Sequence, residues 1–343
     1  MKRVTFVVNP ISGTTEKKET IKLVEEAVAK RGDAWKIIET KYAGHATEIA
    51  KDEVSKGTDV VVAIGGDGTV NEIGKALVHT DTALAIIPAG SGNGLARDLE
   101  IPMSPKGALE VIEEMNKEII DYGKINDTCF FCTCGVGFDA FVSLKFAESG
   151  KRGLLTYLEK TLQESLRYEP ETYELEAEGS TTKHKAFLIA CGNAAQYGNN
   201  AYIAPKAMIT DGQMDVTIIE PFTFLDVPAL AFQLFNRTIN TNSRIKTMRC
   251  RTLRITRKGE GVVHFDGDPV MMGEELFIEI IPRGLHVILP KKRANEIRST
   301  GKEKQAEAAP KEESAEFKDV LGYFNRHIID RNKAIFKKLT KKE

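Results

Sequence analysis

The sequence predicts an α/β chain in two parts: a doubly wound parallel-sheet domain over residues 1–120 and a β-rich sandwich domain over 121–290. Three observations carry that reading. Short apolar runs at Val4–Val8, 59–64 and 83–87, the middle one largely β-branched, have the character of parallel strands buried on both faces. Helical periodicity follows each run after a turn of small residues. From Ile119 onward the alternation gives way to a series of strands, which sets the boundary near residue 120.

Composition bounds the function. The 343 residues are 42% hydrophobic and 28% charged, as in an ordinary globular protein with room for two domains. A formal net charge of −1 provides no general attraction to nucleic acid or to an anionic membrane, so no nucleic-acid partner is expected and any electrostatic docking must be local. No apolar run approaches the roughly 20 residues needed to cross a bilayer, and the five cysteines are few and odd in number, so the chain is expected to be cytoplasmic.

The first strand ends in Asn9-Pro10-Ile11-Ser12-Gly13, and the next segment carries Ile21, Val24 and Val28 on one helical face and is closed by Gly32. Residues 35–40 form the second strand, ending at Thr40, and Gly44-His45-Ala46 opens a helix that runs to about residue 56. A single His at a helix start reads as a cap or a surface residue rather than an acid-base group.

The strand at 59–64 runs into Gly65-Gly66-Asp67-Gly68-Thr69-Val70-Asn71-Glu72, with helical periodicity from Asn71. Glycines there can take φ > 0 and leave no Cβ in the way, so backbone N–H groups can close on an anion at a helix start. A phosphate fits such a turn. Asp67 would repel it unless a divalent cation lies between them or the acid takes a proton. The strand at 83–87 runs into a second turn, Pro88-Ala89-Gly90-Ser91-Gly92-Asn93-Gly94, before another helix. Strand ends at one edge of a doubly wound sheet converge on one crevice, so both turns are expected to face one ligand. A helix at 105–117 completes the domain.

In the second part, Cys129, Cys132 and Cys134 lie in a strand-like run without a nearby fourth ligand, and read as buried thiols rather than a zinc site, with Cys132 and Cys134 on one face. Lys151-Arg152-Gly153 opens a helix to about 166, its basic pair either reaching toward phosphate or solvated. Strands are expected at 172–178, 184–191, 250–256, 262–265 and 276–281, with a strand at 285–289 returning to the first domain. Residues 221–239 read as an apolar helix, either core or one wall of an acyl-chain cleft. A charged linker follows at 291–316. In 317–343, Phe317, Leu321, Phe324, Ile328, Ile335 and Leu339 form one stripe opposite Arg and Lys residues, so this helix either lies on anionic lipid, docks on its own domain or pairs with a second copy as a homodimer.

The string GGDGTVNE lacks the Gly-Lys-Ser/Thr of a P-loop and the spacing of a dinucleotide fingerprint. It resembles the signature of the diacylglycerol kinase catalytic-domain family, which includes bacterial lipid kinases and sphingosine kinases and is a relative of the NAD kinases. Further blocks follow in that family's order across residues 1–290: NPISG from Asn9, PAGSGN from Pro88 in a form nearer the sphingosine kinases, GVGFDA from Gly135, IAPKAMITDGQMDV from Ile203, and Asp266-Gly267-Asp268. The last acid of that final block is Glu in most members. Asp reaches about 1.5 Å less, roughly one carbon–carbon bond.

The resemblance implies a fold of the NAD kinase and phosphofructokinase kind, ATP and Mg²⁺ as cofactors, and transfer of the γ-phosphoryl group to a lipid primary hydroxyl. The acceptor would be diacylglycerol or a sphingoid base at a membrane surface, and the product a phospholipid such as phosphatidic acid. By the same resemblance the nucleotide would be held by Asn9, Pro10, Ile11, Ser12, Gly13, Thr40, Gly65, Gly66, Asp67, Gly68, Thr69, Val70, Asn71 and Ser91. Asp268 or Asp266 would take the hydroxyl proton, with Asp67 as the third acid of the chemistry. Asp139 would lie toward the acceptor lipid. Mg²⁺ would sit on the Asp211 side chain and the backbone oxygens of Met208 and Gln213. From the residues alone, Asp139 reads equally as a helix cap, and Asp211-Gly212 as a hairpin turn. An NAD kinase-like enzyme and a regulator that has lost catalysis are the competing readings.

Overall fold

The computed structural model describes residues 2–10, 17–149 and 168–300. Ile11, Ser12, Gly13, the expected helix at 151–166, the linker beyond residue 300 and the basic segment 317–343 lie outside them.

The N-terminal part contains β1 (Val4–Val8), α1 (Lys17–Arg31), β2 (Trp35–Glu39), α2 (His45–Ser55), β3 (Val60–Gly65), α3 (Asp67–Leu77), β4 (Ala83–Pro88), α4 (Gly94–Asp98) and α5 (Pro105–Glu114). Its strands pair in parallel in the order β2-β1-β3-β4. Every residue of β1, β3 and β4 is buried, which is why these runs are aliphatic without alternation. Helix α3 begins at Asp67, four residues before the position that periodicity suggests, because glycines hide a helix's first turn from a hydrophobic pattern.

The second part contains β5 (Lys117–Ile125), β6 (Thr128–Phe130), β7 (Thr133–Gly137), α6 (Phe138–Ser149), β8 (Glu171–Ala177), β9 (Ser180–Ala186), β10 (Leu188–Gly192), β11 (Met214–Ile219), α7 (Val227–Phe235), β12 (Ile245–Cys250), β13 (Thr252–Thr256), β14 (Gly261–Phe265), β15 (Asp268–Met272), β16 (Glu275–Ile288) and α8 (Lys291–Thr300). One sheet runs β12-β11-β10-β7-β14-β15. The other continues the N-terminal sheet through β16 to β13, β8 and β9, with β5 and β6 alongside. Val136, Ile189 and Val216 of the first sheet share a core with Tyr173, Leu253 and Ile278 of the second, so the two form the expected sandwich.

Strand β16 joins the halves. Its first stretch pairs with β13, and its register against β5 shifts between Ile281 and Leu285, where Arg283 has φ 53°. Val287 then pairs in parallel with Leu84 of β4. The strands expected at 276–281 and 285–289 are therefore one bent strand, and its end does return to the first domain. Leu285, Val287, Ile288, Leu289 and Ala294 belong to the N-terminal core. Residues 291–300, expected within the linker, are helix α8 seated on that core rather than solvated chain.

Other expectations change as well. The run at 184–191 is split at Phe187, whose N–H donates to Ile219 O (2.7 Å) while its carbonyl accepts from Phe138 N–H (2.9 Å). The apolar helix is confined to Val227–Phe235 between two 3-10 turns, Phe224–Asp226 and Ile239–Thr241, and it is not buried all round. Cys132 packs in the N-terminal core and Cys134 in the sandwich core, since β6 and β7 are interrupted between them. All five cysteines are free thiols, as expected, and burial pushes those of Cys132 and Cys134 well up.

Candidate active site

Parallel pairing places the C-terminal ends of β1 to β4 along one edge, where Asn9, Thr40, Gly65–Asn71 and Ser91 follow them in turn. Hydrogen bonds knit this edge: Asn9 N–H to Ile64 O (3.2 Å), Asn9 Nδ2 to Thr69 Oγ1 (3.2 Å), Thr40 N–H to Val8 O (2.8 Å) and Ala89 N–H to Gly65 O (2.9 Å). The two glycine turns meet backbone to backbone. A Cβ on Gly90 would lie 2.4 Å from Gly66 Cα, and one on Gly65 would lie 2.5 Å from Thr69 Oγ1. Close approach is thus what demands glycine here. Gly65, Gly66 and Gly68 have no positive φ, contrary to the sequence expectation. Gly66 caps α3 without a side-chain acceptor, so no capping side chain takes up the N–H groups of the first turn.

Asp67 resolves its apparent misfit in a third way. Its carboxylate accepts from Asn93 N–H (2.9 Å) and Gly94 N–H (2.7 Å), clipping one glycine turn to the other. Burial raises its pKa, and these two N–H groups together with Arg97 oppose the rise. Glu72, in the same motif, faces away. It accepts from Gly44 N–H (2.9 Å) and Ala46 N–H (3.2 Å) and so caps α2.

The acids of the last motif separate into two environments. Asp266 sits at φ 48° in the turn between β14 and β15. Its carboxylate accepts from Asn71 Nδ2 (2.9 Å) and from the N–H groups of Phe131 (2.8 Å), Cys132 (2.7 Å) and Thr133 (3.2 Å). Burial pushes its pKa up to about 6 against those donors. Asn71 also donates to Cys129 O (3.2 Å), so one side chain of α3 ties the glycine turn to the second domain. Asp268, two residues on, is exposed, and its Oδ2 lies 3.8 Å from where a Cβ of Gly68 would be. Crowding in the crevice, then the carboxylates of Asp67 and Glu72, raise the Asp268 pKa, with Lys75 opposing. The two domains thus bring Asp67, Gly68 and Asp268 together.

Asp139 is buried in the first turn of α6. It accepts from Tyr197 Oη (2.9 Å), His264 Nε2 (2.9 Å) and Ala140 N–H (2.8 Å). A Cβ on Gly135 would meet both Asp139 and His264, which explains the glycine. Sequence reasoning assigned no role to Tyr197, His264 or Glu72; Glu72 ends the glycine motif and His264 stands two residues before Asp266, and these positions were the available signals.

At the turn where the resemblance places Mg²⁺, the groups present are bonded to protein. Asp211 pairs with Arg249 and accepts from Gln213 N–H (3.1 Å), and Met208 O is taken by the N–H groups of Thr210 (2.8 Å) and Asp211 (3.3 Å). Arg249 also pairs with Asp215 (3.2 Å), and the Asp121 carboxylate accepts from Gly212 N–H (2.7 Å). One guanidinium thus faces two carboxylates, so the turn keeps a net negative charge, and burial and then Asp211 raise the pKa of both Asp215 and Asp121. Among the described residues no cluster of three or more His, Cys, Asp or Glu is placed to hold a metal.

A parallel nucleotide-domain sheet whose crevice is closed by a β-sandwich defines the fold class shared by lipid kinases and NAD kinases. Residues 3–125 match the family described as diacylglycerol kinase catalytic domain, and residues 132–289 match the YegS C-terminal NAD kinase beta sandwich-like domain. The chain belongs to the diacylglycerol kinase catalytic-domain family and is a lipid kinase. A YegS-like lipid kinase of Enterobacter sp. (strain 638) is 30% identical over 278 residues, covering 78% of this chain and 91% of the relative. A diacylglycerol kinase of Mycobacterium tuberculosis (strain ATCC 25618 / H37Rv) is 30% identical over 301 residues, covering 84% and 96%. Among solved structures, a diacylglycerol kinase from Bacillus anthracis str. Sterne matches with a TM-score of 0.67 at 22% identity, covering 85% of this chain and 98% of that one. An NAD kinase from Archaeoglobus fulgidus in complex with ATP matches at 0.50 with 15% identity, covering 86% and 99%. These two likenesses concern the fold.

Proposed function

We propose that this kinase transfers the γ-phosphoryl group of ATP to the primary hydroxyl of a diacylglycerol, giving phosphatidic acid. One contrast carries the mechanism: Asp266 is held by four N–H donors, whereas Asp268 stands exposed beside Gly68. Asp268 is the group that takes the hydroxyl proton as the phosphoryl group leaves ADP, and Asp266 positions its turn. The glycine turns and the first turn of α3 hold the phosphates through backbone N–H groups and the helix dipole. Asn9, Thr40 and Ser91 line the same edge as nucleotide contacts. Asp67, at the start of the glycine turn, is the acid that would hold a Mg²⁺ bound with the triphosphate, and the ion would supply neutralisation of the phosphate charge.

Diacylglycerol is favoured over a sphingoid base by the state of Asp139. An amino-alcohol lipid needs a carboxylate for its ammonium group, and that of Asp139 is buried and already bonded to Tyr197, His264 and Ala140. ADP release measured with ATP and, separately, diacylglycerol, a sphingoid base and NAD⁺ tests the reading. Turnover with diacylglycerol alone is expected, and turnover confined to either other acceptor would replace it.

A further inference from the structure

In and just before helix α7, Leu225, Pro228, Ala229 and Phe232 recur at intervals of three and four residues, and all four are exposed, Leu225 at 86% and Phe232 at 44%. They make one stripe turned to water. No charged residue occurs between Asp226 and Arg237. Leu230 points the other way, into a core with Phe138, Phe187 and Ile239. Burying one apolar face is enough to hold a helix on a fold. A second, outward apolar face marks a contact surface.

The layer beneath this stripe leads to the active site. The rings of Phe222, Phe187 and Phe138 stand in series at 4.5 and 4.4 Å, and Tyr197 packs on the same cluster. Tyr197 Oη is bonded to Asp139, and the Tyr197 carbonyl lies against Gly92 and Gly94 of the second glycine turn. Apolar material is therefore continuous from the stripe to the crevice where a lipid hydroxyl must arrive. Four side chains are few against the roughly 20–30 residues a side that a stable dimer buries. Asp226 is paired with Arg244 at 3.2 Å, and Glu220, Arg237 and Lys246 in the flanking segments sum to only +1. Attraction through this face must then be apolar rather than ionic.

We propose that α7 is the surface by which the enzyme contacts a lipid bilayer, with Leu225 and Phe232 entering the boundary between headgroups and acyl chains. The proposal rests on the lipid-kinase reading and names where that activity meets its substrate's membrane.

The test uses the full chain and vesicles of equal parts phosphatidylcholine and phosphatidylglycerol. At about 0.5 M salt, where ionic attraction from any basic segment is screened, Leu225→Asp/Phe232→Asp is expected to bind at least about tenfold more weakly than wild type. Leu225 is 86% exposed, so Leu225→Asp alone should also weaken high-salt binding while leaving melting temperature and turnover of a dispersed short-chain diacylglycerol unchanged. In a second measurement, Leu225→Trp should show blue-shifted emission on vesicle addition, over a background from the buried Trp35, the single native tryptophan. Equal high-salt binding by wild type and double variant, or no shift of the new tryptophan, would overturn the proposal. So would a wild-type dimer that the double variant dissolves in the absence of lipid. A chain that binds vesicles through α7 yet phosphorylates no lipid would instead overturn the proposed function and leave the surface standing.

Discussion

Asp266 and Asp268 lie two residues apart in one motif, and their surroundings give them opposite roles. Asp268→Asn is expected to lower kcat by about 10²- to 10⁴-fold with little change in melting temperature, while Asp268→Glu stays active. Asp266→Asn turns an amide N–H toward donors that need an acceptor, so it should cost about 1–3 kcal/mol of stability as well as activity. A stable, inactive Asp266→Asn beside an active Asp268→Asn would exchange the two assignments. The Asp268 pKa is raised by crowding and by Asp67, and a base works only when ionised. Activity should therefore fall as pH drops through a value above that of an ordinary aspartate, and Asp268→Asn should abolish that limb. Asp67→Asn removes the charge and leaves an acceptor for only one of the two backbone N–H groups, and should slow transfer by on the order of 10²-fold or more, most visibly with ATP limiting. Normal ATP kinetics in that variant would leave Asp67 outside the mechanism. The sequence showed these acids but not their roles, because the partners of Asp67 are backbone groups at 93 and 94, and those of Asp266 lie at 71 and 131–133.

Among elements, α2 is held by a buried charge that no motif announces. The side chain of Glu53 is fully buried, accepting from Thr5 Oγ1 (2.5 Å) and Thr58 Oγ1 (2.9 Å) and pairing with Lys36 (2.9 Å). Burial works against its ionisation, yet these partners hold its pKa at about 2. Its folded pKa lies below its unfolded one, so its contribution is complete above about pH 4.5 and is lost as pH falls toward 2. Glu53→Gln should cost about 1–3 kcal/mol at neutral pH, and urea titrations should show the gap closing over that acid range. A gap independent of pH would assign the loss to packing. The Asp211 turn is the second case. With Arg249 in place, chelator or added Mg²⁺ should leave its melting temperature unchanged in the absence of nucleotide. Arg249→Ala exposes Asp211 and Asp215 to each other and should lower the melting temperature and make it respond to Mg²⁺. A wild-type protein destabilised by chelator would restore a metal to this turn. Buried strands were legible because β-branched runs have one common use. The limits of α7 were not, because a continuous apolar string carries no phase to show which side faces water or where a 3-10 turn interrupts it.

In the whole molecule, the two-layer division was legible from the change of pattern near residue 120, but the spatial division ignores chain order. Residues 285–294 complete the N-terminal core, and Asn71 reaches across to Asp266. Sequence periodicity reports on neighbours along the chain and says little about a strand that borrows its partner from two hundred residues away. Among the described residues no helix is long and apolar enough to cross a membrane.

Strand β16 has a consequence for how the protein is made. Strand β4 leaves the ribosome with the first hundred residues, but the strand that pairs with it at Val287 emerges almost two hundred residues later. Throughout that interval the nascent sheet has an open edge of apolar backbone, the kind of edge that recruits other chains. A fragment ending at residue 120 should accordingly associate or precipitate rather than fold as a monomer, and adding a peptide spanning 275–300 should improve its solubility. A monomeric, cooperatively melting 1–120 fragment would show that β4 can do without its late partner. If it cannot, the N-terminal half stays unfinished until the β-sandwich half has been synthesised, and a truncated translation product cannot linger as a folded module on its own.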